Sequence, residues 1–541
     1  MPYFDYIVVG AGSAGCVVAN RLSADPSVSV CLIEAGGKAK SPWVSIPAGI
    51  FGLYGNKKYD YNFVSLPQKN LSNRVMKINR GKGLGGSSAI NSMVYIRGSR
   101  NDYDTWAELG CEGWGYDDVL PVFKKMESNQ IGQSAYFHGF DGELNVCKQQ
   151  DPNPVAKVFV AAGKAAGLSE NTDFNSATQL GLGIYNVKQE RGQRVSSYTA
   201  FLKPVEGRRN LTIMTHTQAL ALTIEADVVT GLTIEHKGEQ QHLHCNIEVI
   251  LCGGTILSPS ILLASGIGDR DELSLAGIEC NHHLPGVGKN LQDHIDSMVT
   301  VRSVPPDSMG VSFKTLLPHV LSAPFKYWFS RKGWWTTNYV EAGGFAKTKL
   351  ALNEDTQPNP DPDVQFHFAP LYRSHRGKKF EWGHGYSLFT CVLRPLSRGS
   401  VKLVHDGYKR NLMIDYNFFS HKKDQQTLIE GIKEARKILA APEFDHLRGK
   451  EMAPGESVQT DAQILNYLRD TATTVYHPVG TCKMGIDALA VVHPKTLKVI
   501  GVDNLRVMDA SIMPNIISGN TSAATMMIGE RGAAMVLAER H

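Results

Sequence analysis

The sequence predicts an α/β protein that combines a Rossmann-like nucleotide-binding domain with a second, α+β domain. An apolar strand at 6–9 runs into a glycine-rich turn, and a second apolar strand ends in the acidic residue Glu34. The chain of 541 residues exceeds the usual size of one domain. From about residue 297 it also becomes richer in aromatic residues and in alternating strand patterns. These observations predict two domains, the first of which binds a dinucleotide.

The first predicted unit is the strand 6–9, a turn with the pattern G-x-G-x-x-G, and a helix. The turn is Gly10-Ala11-Gly12-Ser13-Ala14-Gly15. Gly10 suits the tight turn, Gly12 lets the backbone approach a pyrophosphate, and Gly15 permits close packing of strand and helix. The helix N-terminus directs free N–H groups at the diphosphate. A purely structural turn is the alternative for the motif alone, because 52 glycines give chance matches.

The acid that ends the second strand strengthens the dinucleotide interpretation. The strand covers 28–33 and is followed by Glu34 and Ala35. A carboxylate near this distance binds the ribose hydroxyls in such units, whereas a 2′-phosphate would favour arginine. We therefore expect an adenine dinucleotide without a 2′-phosphate at this site.

Composition excludes several classes of function. The formal net charge is +4 and charged residues make up 20% of the chain, so we expect no nucleic-acid partner. The sequence contains no run of eighteen apolar residues, so we expect no transmembrane helix. The first strand begins within a few residues of Met1, which predicts a cytoplasmic chain without a signal peptide. The nine cysteines are scattered without a C-x-x-C pair, which predicts reduced thiols, and we expect no metal site.

A second glycine-rich loop follows at 80–91. Gly81, Gly83, Gly85 and Gly86 alternate with polar residues and are followed by Ser87. Backbone N–H groups in such a loop can surround an anion or a planar ring. Leu84, Ile90 and Met93 are regularly spaced, which is unusual for a flexible linker. We therefore predict a second loop that contacts the cofactor.

The rest of the chain alternates predicted helices and strands. Ordered loop or lid structure is expected at 42–62, helices at 102–129, 156–166, 259–264, 424–439 and 461–471, and strands at 208–214, 220–224, 232–235, 248–251, 364–368, 387–393 and 505–508. The strands between 220 and 235 suggest a small meander. The later strands predict the sheet of the second domain.

Aromatic residues are concentrated at 313–345, where nine of them occur. The high density of aromatic residues is best explained if they line an apolar pocket. An ordinary hydrophobic core is the simple alternative. Lys314, Lys326, Arg331 and Lys332 stand beside the aromatic residues, so a patch that rests on a membrane surface is a third interpretation.

Two polar residues near the C-terminus are candidates for catalysis. His477 stands between Tyr476 and Pro478, and a following proline restricts the backbone. Asn520 follows a loop rich in proline and glycine. A neutral imidazole can accept a hydroxyl proton, and a carboxamide can hold an alcohol oxygen in line. His294, in a turn-rich segment, is equally consistent with a structural and a functional role.

These blocks resemble the glucose–methanol–choline (GMC) family of flavin oxidoreductases along essentially the whole chain. Residues 81–91 are similar to the first family signature and 254–268 to the second, in the expected order. The segments 94–98, 340–345, 477–485 and 509–514 most resemble choline dehydrogenases and bacterial aliphatic alcohol dehydrogenases. The resemblance implies a Rossmann-like FAD-binding domain intertwined with an α+β substrate-binding domain built on an antiparallel sheet.

The resemblance also implies domain boundaries, a cofactor and roles for particular residues. The FAD-binding domain would comprise 1–155, 201–296 and 471–541, with a substrate-domain excursion at 156–200 and the substrate-binding domain at 297–470. FAD rather than NAD would occupy the Gly10 site and accept hydride at flavin N5. By position, His477 matches the active-site base and Asn520 its partner. The flavin would be lined by Gly85, Gly86, Ser87, Asn91, Met93, Val94, Asp509, Ala510 and Thr521, and adenine would contact the Ala219 backbone.

Ile90 and Glu341 bear on how FAD is attached and on which substrate is bound. Some choline oxidases attach FAD through a histidine immediately before the asparagine that Asn91 matches, and here that position is Ile90. Because isoleucine cannot form that bond, we predict non-covalent FAD. Glu341 could face a cationic choline head together with aromatic neighbours such as Tyr476, or it could be structural.

The resemblance favours oxidation of primary, aliphatic alcohols to aldehydes, with electrons passed to a quinone or another acceptor. Choline dehydrogenase and an oxidase that reduces O2 are close alternatives. Photodecarboxylases and hydroxynitrile lyases also belong to the family, and a flavoprotein without catalytic activity is the remaining alternative. The pair of His477 and Asn520 favours oxidation. Peripheral contact with the inner face of the membrane, the chain length of the alcohol and the oligomeric state stay open.

Overall fold

The computed structural model describes residues 3–305, 307–352, 361–372, 382–405 and 410–540. Within these residues, the strands form two seven-stranded sheets and five two-stranded pairs. The strands are β1 (Tyr3–Val9), β2 (Val30–Glu34), β3 (Phe63–Val64), β4 (Lys77–Ile78), β5 (Glu127–Asn129), β6 (Leu144–Val146), β7 (Gly181–Ile184), β8 (Gln189–Glu190), β9 (Gln193–Arg194), β10 (Leu211–Thr215), β11 (Thr217–Glu225), β12 (Val228–His236), β13 (Glu239–Leu251), β14 (Ile267–Gly268), β15 (His282–His283), β16 (Ile295–Ser303), β17 (Ala342–Ala346), β18 (Val364–Ala369), β19 (His384–Val392), β20 (Ser400–His405), β21 (Arg410–Asp415), β22 (Arg448–Ala453), β23 (Thr473–Thr474) and β24 (Leu505–Val507).

The α-helices are α1 (Gly15–Leu22), α2 (Pro42–Ser45), α3 (Ile50–Leu53), α4 (Arg100–Glu108), α5 (Tyr116–Met126), α6 (Pro154–Ala165), α7 (Gly254–Ala264), α8 (Arg270–Leu275), α9 (Phe313–Thr315), α10 (Ala323–Ser330), α11 (Lys349–Leu352), α12 (Lys422–Leu439), α13 (Asp461–Thr471) and α14 (Ser522–Glu539). π-helical turns span Tyr198–Leu202 and Leu316–Leu321. None of the helices in the described part of the chain is long and apolar enough to cross a membrane.

The first sheet is the Rossmann-like layer. Its order is β10-β2-β1-β13-β12-β11, with β24 beside β13. The strands β10, β2, β1, β13 and β24 pair in parallel, whereas β11, β12 and β13 form an antiparallel meander. All five residues of β2 are buried, as expected for a parallel strand covered on both faces. Helices α1 and α14 pack against each other.

The second sheet is antiparallel throughout. Its order is β22-β16-β19-β18-β17-β7, with β23 beside β16. Helix α12 packs on β16 and β19, and α6 packs on β7. Each sheet has its own large hydrophobic cluster. The predicted fold class, an α/β domain combined with an antiparallel-sheet domain, is confirmed.

The chain reaches the second sheet more than once. Strand β7 lies between β6 and β10 in sequence, yet it pairs with β17 of the second sheet. The exact domain boundaries stay a prediction. Individual elements differ modestly from expectation: β2 begins at Val30 rather than Val28, α7 begins at Gly254 rather than Pro259, and the stretch 42–62 contains the short helices α2 and α3.

Candidate active site

A continuous cavity of about 1640 Å³ joins the glycine motif to the two candidate catalytic residues. Most of the residues selected from the sequence line it. They are Gly10, Gly12, Ser13, Ala14, Glu34, Ala35, Gly86, Ser87, Asn91, Met93, Val94, Ala219, Tyr476, His477, Asp509, Ala510, Asn520 and Thr521. Gly15, Gly85 and Glu341 are not among the lining residues. The cavity therefore brings together segments that are separated by up to 500 residues in sequence.

The three glycines of the first motif differ in what surrounds them. A Cβ on Gly10 would lie 2.6 Å from the Cys252 carbonyl oxygen, and one on Gly15 would lie 1.9 Å from the Gly10 carbonyl oxygen. A Cβ on Gly12 would have no atom nearer than 3.8 Å. Gly10 and Gly15 therefore permit close backbone packing, whereas Gly12 leaves open space in the cavity, as a pyrophosphate requires. No side chain caps the N-terminus of α1 beside it.

Glu34 joins three loops at the carboxyl end of the first sheet. Its Oε2 accepts from the Ala11 N–H at 3.0 Å, and its Oε1 accepts from the N–H groups of Gly36 at 2.8 Å and Gly83 at 2.9 Å. An ionised carboxylate offers about four acceptor positions. Three are used by the backbone, so one position remains for a ribose hydroxyl.

The second glycine loop is fixed by buried polar contacts. Gly85 donates its N–H to the Ala11 carbonyl at 2.8 Å, which ties the two loops together. Ser87 Oγ accepts from the Gly81 N–H at 3.1 Å and from Arg80 Nη2 at 2.7 Å. These bonds hold the loop at the cavity wall.

Two further buried side chains stand behind this wall. Asn91 Oδ1 accepts from the Met93 N–H at 3.0 Å and from Arg194 Nη1 at 3.2 Å. Lys188 is fully buried, and its Nζ donates to Ser522 Oγ at 2.6 Å, at the first residue of α14. Burial lowers the pKa of Lys188 to about 7. Sequence reasoning missed Arg194 and Lys188, since a basic residue in a short polar strand looks like surface.

Asp509 connects α7 to the end of β24. Its Oδ2 accepts from the Gly254 N–H at 2.8 Å and from Ser258 Oγ at 2.6 Å, and its Oδ1 accepts from the Ser511 N–H at 2.8 Å. Burial raises the pKa of this carboxyl. The aspartate thereby fixes the loop that presents Ala510 to the cavity.

The two candidate catalytic residues face each other. His477 Nε2 lies 3.1 Å from Asn520 Nδ2, and His477 Nδ1 lies 3.1 Å from His294 Nδ1. His294 Nε2 lies 3.1 Å from the Leu393 carbonyl oxygen. A carbonyl only accepts, so His294 donates from Nε2 and its Nδ1 accepts from His477 Nδ1–H. His477 Nε2 then carries the lone pair, to which the Asn520 amide donates.

Strand β18 of the second sheet fixes the orientation of Asn520. Gln365 Nε2 donates to Asn520 Oδ1 at 3.3 Å and to Tyr185 Oη at 3.2 Å. Tyr185 Oη in turn donates to the Phe366 carbonyl at 2.6 Å. Because its Oδ1 is taken as an acceptor, Asn520 presents its NH2 group to His477.

Burial keeps the histidines of this site neutral. It lowers the pKa of His294 to about 3 and that of His367, which hydrogen-bonds Asn520, to about 4. The pKa of His477 lies well below its ordinary value, because the site is buried and because the neighbouring His294, His367 and Arg80 oppose a further positive charge. At neutral pH, His477 is an unprotonated base.

The loop that carries His477 is held by the side chains of Asp293 and Arg80. Asp293 Oδ1 accepts from the His477 N–H at 2.9 Å, and Oδ2 accepts from the Thr474 hydroxyl. Arg80 Nη1 donates to the Tyr476 carbonyl at 2.8 Å. Tyr476 has a positive φ of 67°, which a non-glycine residue adopts only when its surroundings enforce it. The contacts fix the backbone immediately before the base.

Glu341 is not among the residues that line the cavity, although its neighbour Val340 is. The residue is fully buried, and its Oε2 accepts from the Asn153 N–H at 2.6 Å at the start of α6. Burial raises the pKa of the carboxyl to about 7. The side chain joins the segment before β17 to α6, and its contact with a substrate stays a prediction.

Two of the residues that sequence reasoning missed belong to the second sheet. Gln365 and His367 occupy a strand that is otherwise apolar, V-Q-F-H-F-A, and both are buried. Buried polar residues that alternate with apolar ones were the available signal. Asp293 precedes His294, which the sequence left undecided between two roles, and the structure places both against His477.

Comparison with known proteins agrees with this architecture. Models of the GMC oxidoreductase family match residues 4–296 and 395–529. The chain belongs to the GMC oxidoreductase family. It is 44% identical over 537 residues to an alcohol dehydrogenase [acceptor] of Pseudomonas putida, covering 99% of this chain and 96% of that protein. It is 38% identical over 540 residues to an oxygen-dependent choline dehydrogenase of Rhizobium etli, with coverage of 99% and 96%.

A solved structure of a variant of Aspergillus oryzae formate oxidase, a protein with a modified FAD, superposes with a TM-score of 0.91 at 26% identity. The match covers 99% of this chain and 98% of that one. GMC oxidoreductases are FAD-dependent flavoproteins, so this chain is an oxidoreductase of a flavin-dependent family. The expected family membership is confirmed.

The residues present fit FAD. The cavity is long enough to reach from Gly12, where the backbone leaves open space, to His477 and Asn520. The uncapped N-terminus of α1 suits a pyrophosphate, and Glu34 retains one free acceptor position. The polar groups at the opposite end are a base and an amide, which suit a reacting alcohol rather than a phosphate.

Proposed function

We propose that this protein oxidises primary, aliphatic alcohols to aldehydes, with FAD as the hydride acceptor and His477 as the base. The observation that carries the proposal is the unprotonated Nε2 of His477, which faces the Asn520 amide at 3.1 Å on the cavity wall. The similarity to an alcohol dehydrogenase [acceptor] supports the same reaction class.

In the mechanism, bound FAD supplies a ring that takes up hydride from the alcohol carbon. His477 Nε2 accepts the hydroxyl proton, and the Asn520 amide donates to the alcohol oxygen and so holds it in line. His294 keeps His477 in the tautomer whose Nε2 is free, and Gln365 fixes the amide. No base is needed for photodecarboxylation, so the intact pair argues for oxidation.

The walls of the cavity beside these two residues favour an apolar alcohol. Met298, Val340, Leu371 and Phe389 line them. A hydrocarbon chain gains free energy by leaving water for such walls, roughly 0.8 kcal/mol for each buried CH2 group.

Choline is the second candidate substrate. Tyr339 and Tyr372 line the cavity together with the carboxylate of Asp296, and aromatic rings with an acid suit a quaternary ammonium. The similarity to oxygen-dependent choline dehydrogenases supports this candidate. Glu341, expected to serve the same cation, is not among the residues that line the cavity.

We further propose that FAD is bound without a covalent link and that electrons leave to a quinone. The position before Asn91 is Ile90, a buried side chain without a nucleophile. Denaturing the holoenzyme with acid should release all flavin into the supernatant, and flavin that stays with the protein would contradict this. Quinones dissolve in lipid, so contact with the membrane surface forms part of this proposal, whereas O2 as acceptor would need no such contact.

The test is anaerobic mixing of the holoenzyme with octanol, benzyl alcohol or choline while the flavin absorbance is followed. Bleaching by octanol supports the proposal, and bleaching by choline alone would replace it with the second candidate. His477→Ala should keep FAD and slow bleaching by about 10²- to 10⁴-fold. The matched control is His446→Ala, which removes an exposed histidine that does not line the cavity. Rapid reoxidation of the reduced flavin in air would contradict a quinone as the electron acceptor.

A further inference from the structure

A row of large apolar side chains faces solvent along the helical segment 313–330. Phe313, Leu317, Leu321, Phe325 and Phe329 follow one another at intervals of four residues. Their exposed fractions are 90%, 72%, 54%, 66% and 88%. We call these five residues the apolar ridge. The four-residue interval places them along one side of α9, the π-helical turn at 316–321 and α10.

The inner side of the same segment is made of different residues. Thr315, Ala323 and Tyr327 are buried, and Tyr327 donates its hydroxyl to the Gly192 carbonyl at 3.1 Å. The segment is therefore anchored to the protein while its largest apolar side chains point outward. A helix on the surface of a water-soluble protein normally has the opposite arrangement, and a continuous exposed apolar patch marks an interaction surface.

Positive charge predominates around the ridge, although Asp151 Oδ2 accepts from the Gly333 N–H at 2.8 Å. Lys314, Lys326, Arg331 and Lys332 are the ionised residues of the stretch 308–340, which contains no Asp or Glu. In the part of the chain that the structure describes, none of the four forms an ion pair with a carboxylate. Lys326 donates to the Pro318 carbonyl at 3.0 Å, and Arg331 stacks over the rings of Tyr327 and Trp328.

We propose that the apolar ridge inserts into the surface of a bilayer that contains anionic phospholipid. Apolar side chains flanked by lysine and arginine are the features of a helix that lies in the plane of a membrane. The apolar side chains enter the acyl region, and the four cations contact the negative headgroups. Exposed Trp328, at 54%, lies beside the ridge and suits the headgroup level.

The position of the ridge relative to the cavity favours lipid over a second copy of this chain. Val311 and Gly383 form an isolated β-bridge, and both line the cavity. The ridge begins two residues after Val311, where the Phe313 ring stacks on Trp382 at 5.7 Å. This wall of the cavity thus lies next to the ridge. Docking there would bring the cavity to the phase in which aliphatic alcohols and quinones dissolve, and this deepens the proposed function on which it rests.

The test is sedimentation of the FAD-loaded full chain with vesicles of phosphatidylcholine, with or without phosphatidylglycerol. We expect binding to the anionic vesicles, weakened by salt. Phe325→Ser combined with Phe329→Ser should abolish it. Lys326→Gln combined with Lys332→Gln should weaken it by about 25-fold, because each cation near an anionic surface contributes a factor of about five.

A matched control removes exposed apolar side chains elsewhere. Leu275→Ser combined with Ile486→Ser changes residues that are 84% and 73% exposed, and this variant should bind vesicles as the parent does. Failure of the parent to sediment with anionic vesicles would overturn the proposal, as would equal binding by the ridge variant. A dimer in lipid-free buffer that the ridge variant converts to a monomer, without vesicle binding by the parent, would assign the ridge to a second copy.

Flavin reduction by a water-soluble alcohol in vesicle-free buffer separates this proposal from the proposed function. The ridge variant should retain the parent's rate there, since no ridge residue lines the cavity. Normal vesicle binding without alcohol-driven bleaching would leave the docking surface intact and contradict the proposed reaction instead.

Discussion

Replacing His294 tests whether the tautomer of His477 is set by its neighbour. His294→Leu removes the Nδ1 acceptor that lies 3.1 Å from His477 Nδ1 and keeps an apolar side chain of similar bulk. The His294 side chain does not line the cavity, so it cannot contact FAD or substrate. An effect on the reaction must therefore act through His477, which makes His294 a positioning residue.

The expected size follows from the hydrogen bond that is lost. A buried donor left without a partner costs about 1–3 kcal/mol. In the variant, His477 Nδ1–H is such a donor, so the tautomer with a free Nε2 becomes less favourable by about that amount. Each 1.36 kcal/mol is a factor of ten, so flavin reduction should slow by roughly 10- to 100-fold. This loss is smaller than that of His477→Ala, which removes the base itself.

The assay is anaerobic stopped-flow reduction of the flavin by octanol, with FAD content measured in parallel. His294→Asn is the rescue variant, because its Oδ1 can occupy the acceptor position of Nδ1. It should recover part of the rate that His294→Leu loses. A His294→Leu protein with full FAD content and the parent's rate would refute the argument, and so would a His294→Asn protein as slow as His294→Leu.

Three other outcomes are expected. Gly12→Val should purify without flavin, because the side chain would fill the space left for the pyrophosphate; a yellow protein with normal flavin content would contradict this. Gln365→Leu should slow flavin reduction by about tenfold with FAD retained, because Asn520 loses one of its hydrogen-bond donors; a rate equal to the parent's would show that the remaining contacts suffice to fix the amide. The pKa of Asp293 is raised from 3.8 to about 7, so between these pH values the folded state holds a proton that the unfolded state has lost. The free energy of unfolding should therefore fall as pH rises from about 4 to about 7, by at most about 1.4 kcal/mol per pH unit. Urea titrations of Asp293→Asn should show a shallower fall.

The nucleotide end of the site could be predicted because its signals are local in sequence. Strand, glycine turn, helix and acid follow one another within residues 6–34, and the physical role of each residue depends on near neighbours. Gly10 and Gly15 indeed pack against backbone, and Gly12 leaves space. His477 and Asn520 were predicted through resemblance to the GMC family. Their mutual distance could not be predicted, because a separation of 43 positions in sequence leaves it undetermined.

The support of the catalytic pair could not be predicted from patterns. Gln365 and Asn520 are 155 residues apart, and His294 and His477 are 183 apart, so their contacts depend on how the two sheets meet. Glu341 is a different case. It stands in a segment that resembles the family, its side chain accepts from the Asn153 N–H, and its contact with a substrate stays a prediction. The stretch 313–345, where aromatic residues are concentrated, serves two different surfaces. Tyr339 and Val340 line the cavity, whereas Phe313, Phe325 and Phe329 face solvent.

The surroundings of His477 determine what kind of base it can be. Burial and the neighbouring His294, His367 and Arg80 hold its pKa well below the ordinary value, so it is unprotonated and available throughout the physiological range, yet it binds a proton weakly. A weak base cannot deprotonate an alcohol in advance, because an alkoxide in this buried site would be the stronger base. The proton is best transferred as the C–H bond breaks, when the oxygen becomes a carbonyl and loses its own affinity for the proton. The arrangement that weakens the base therefore couples proton transfer to oxidation.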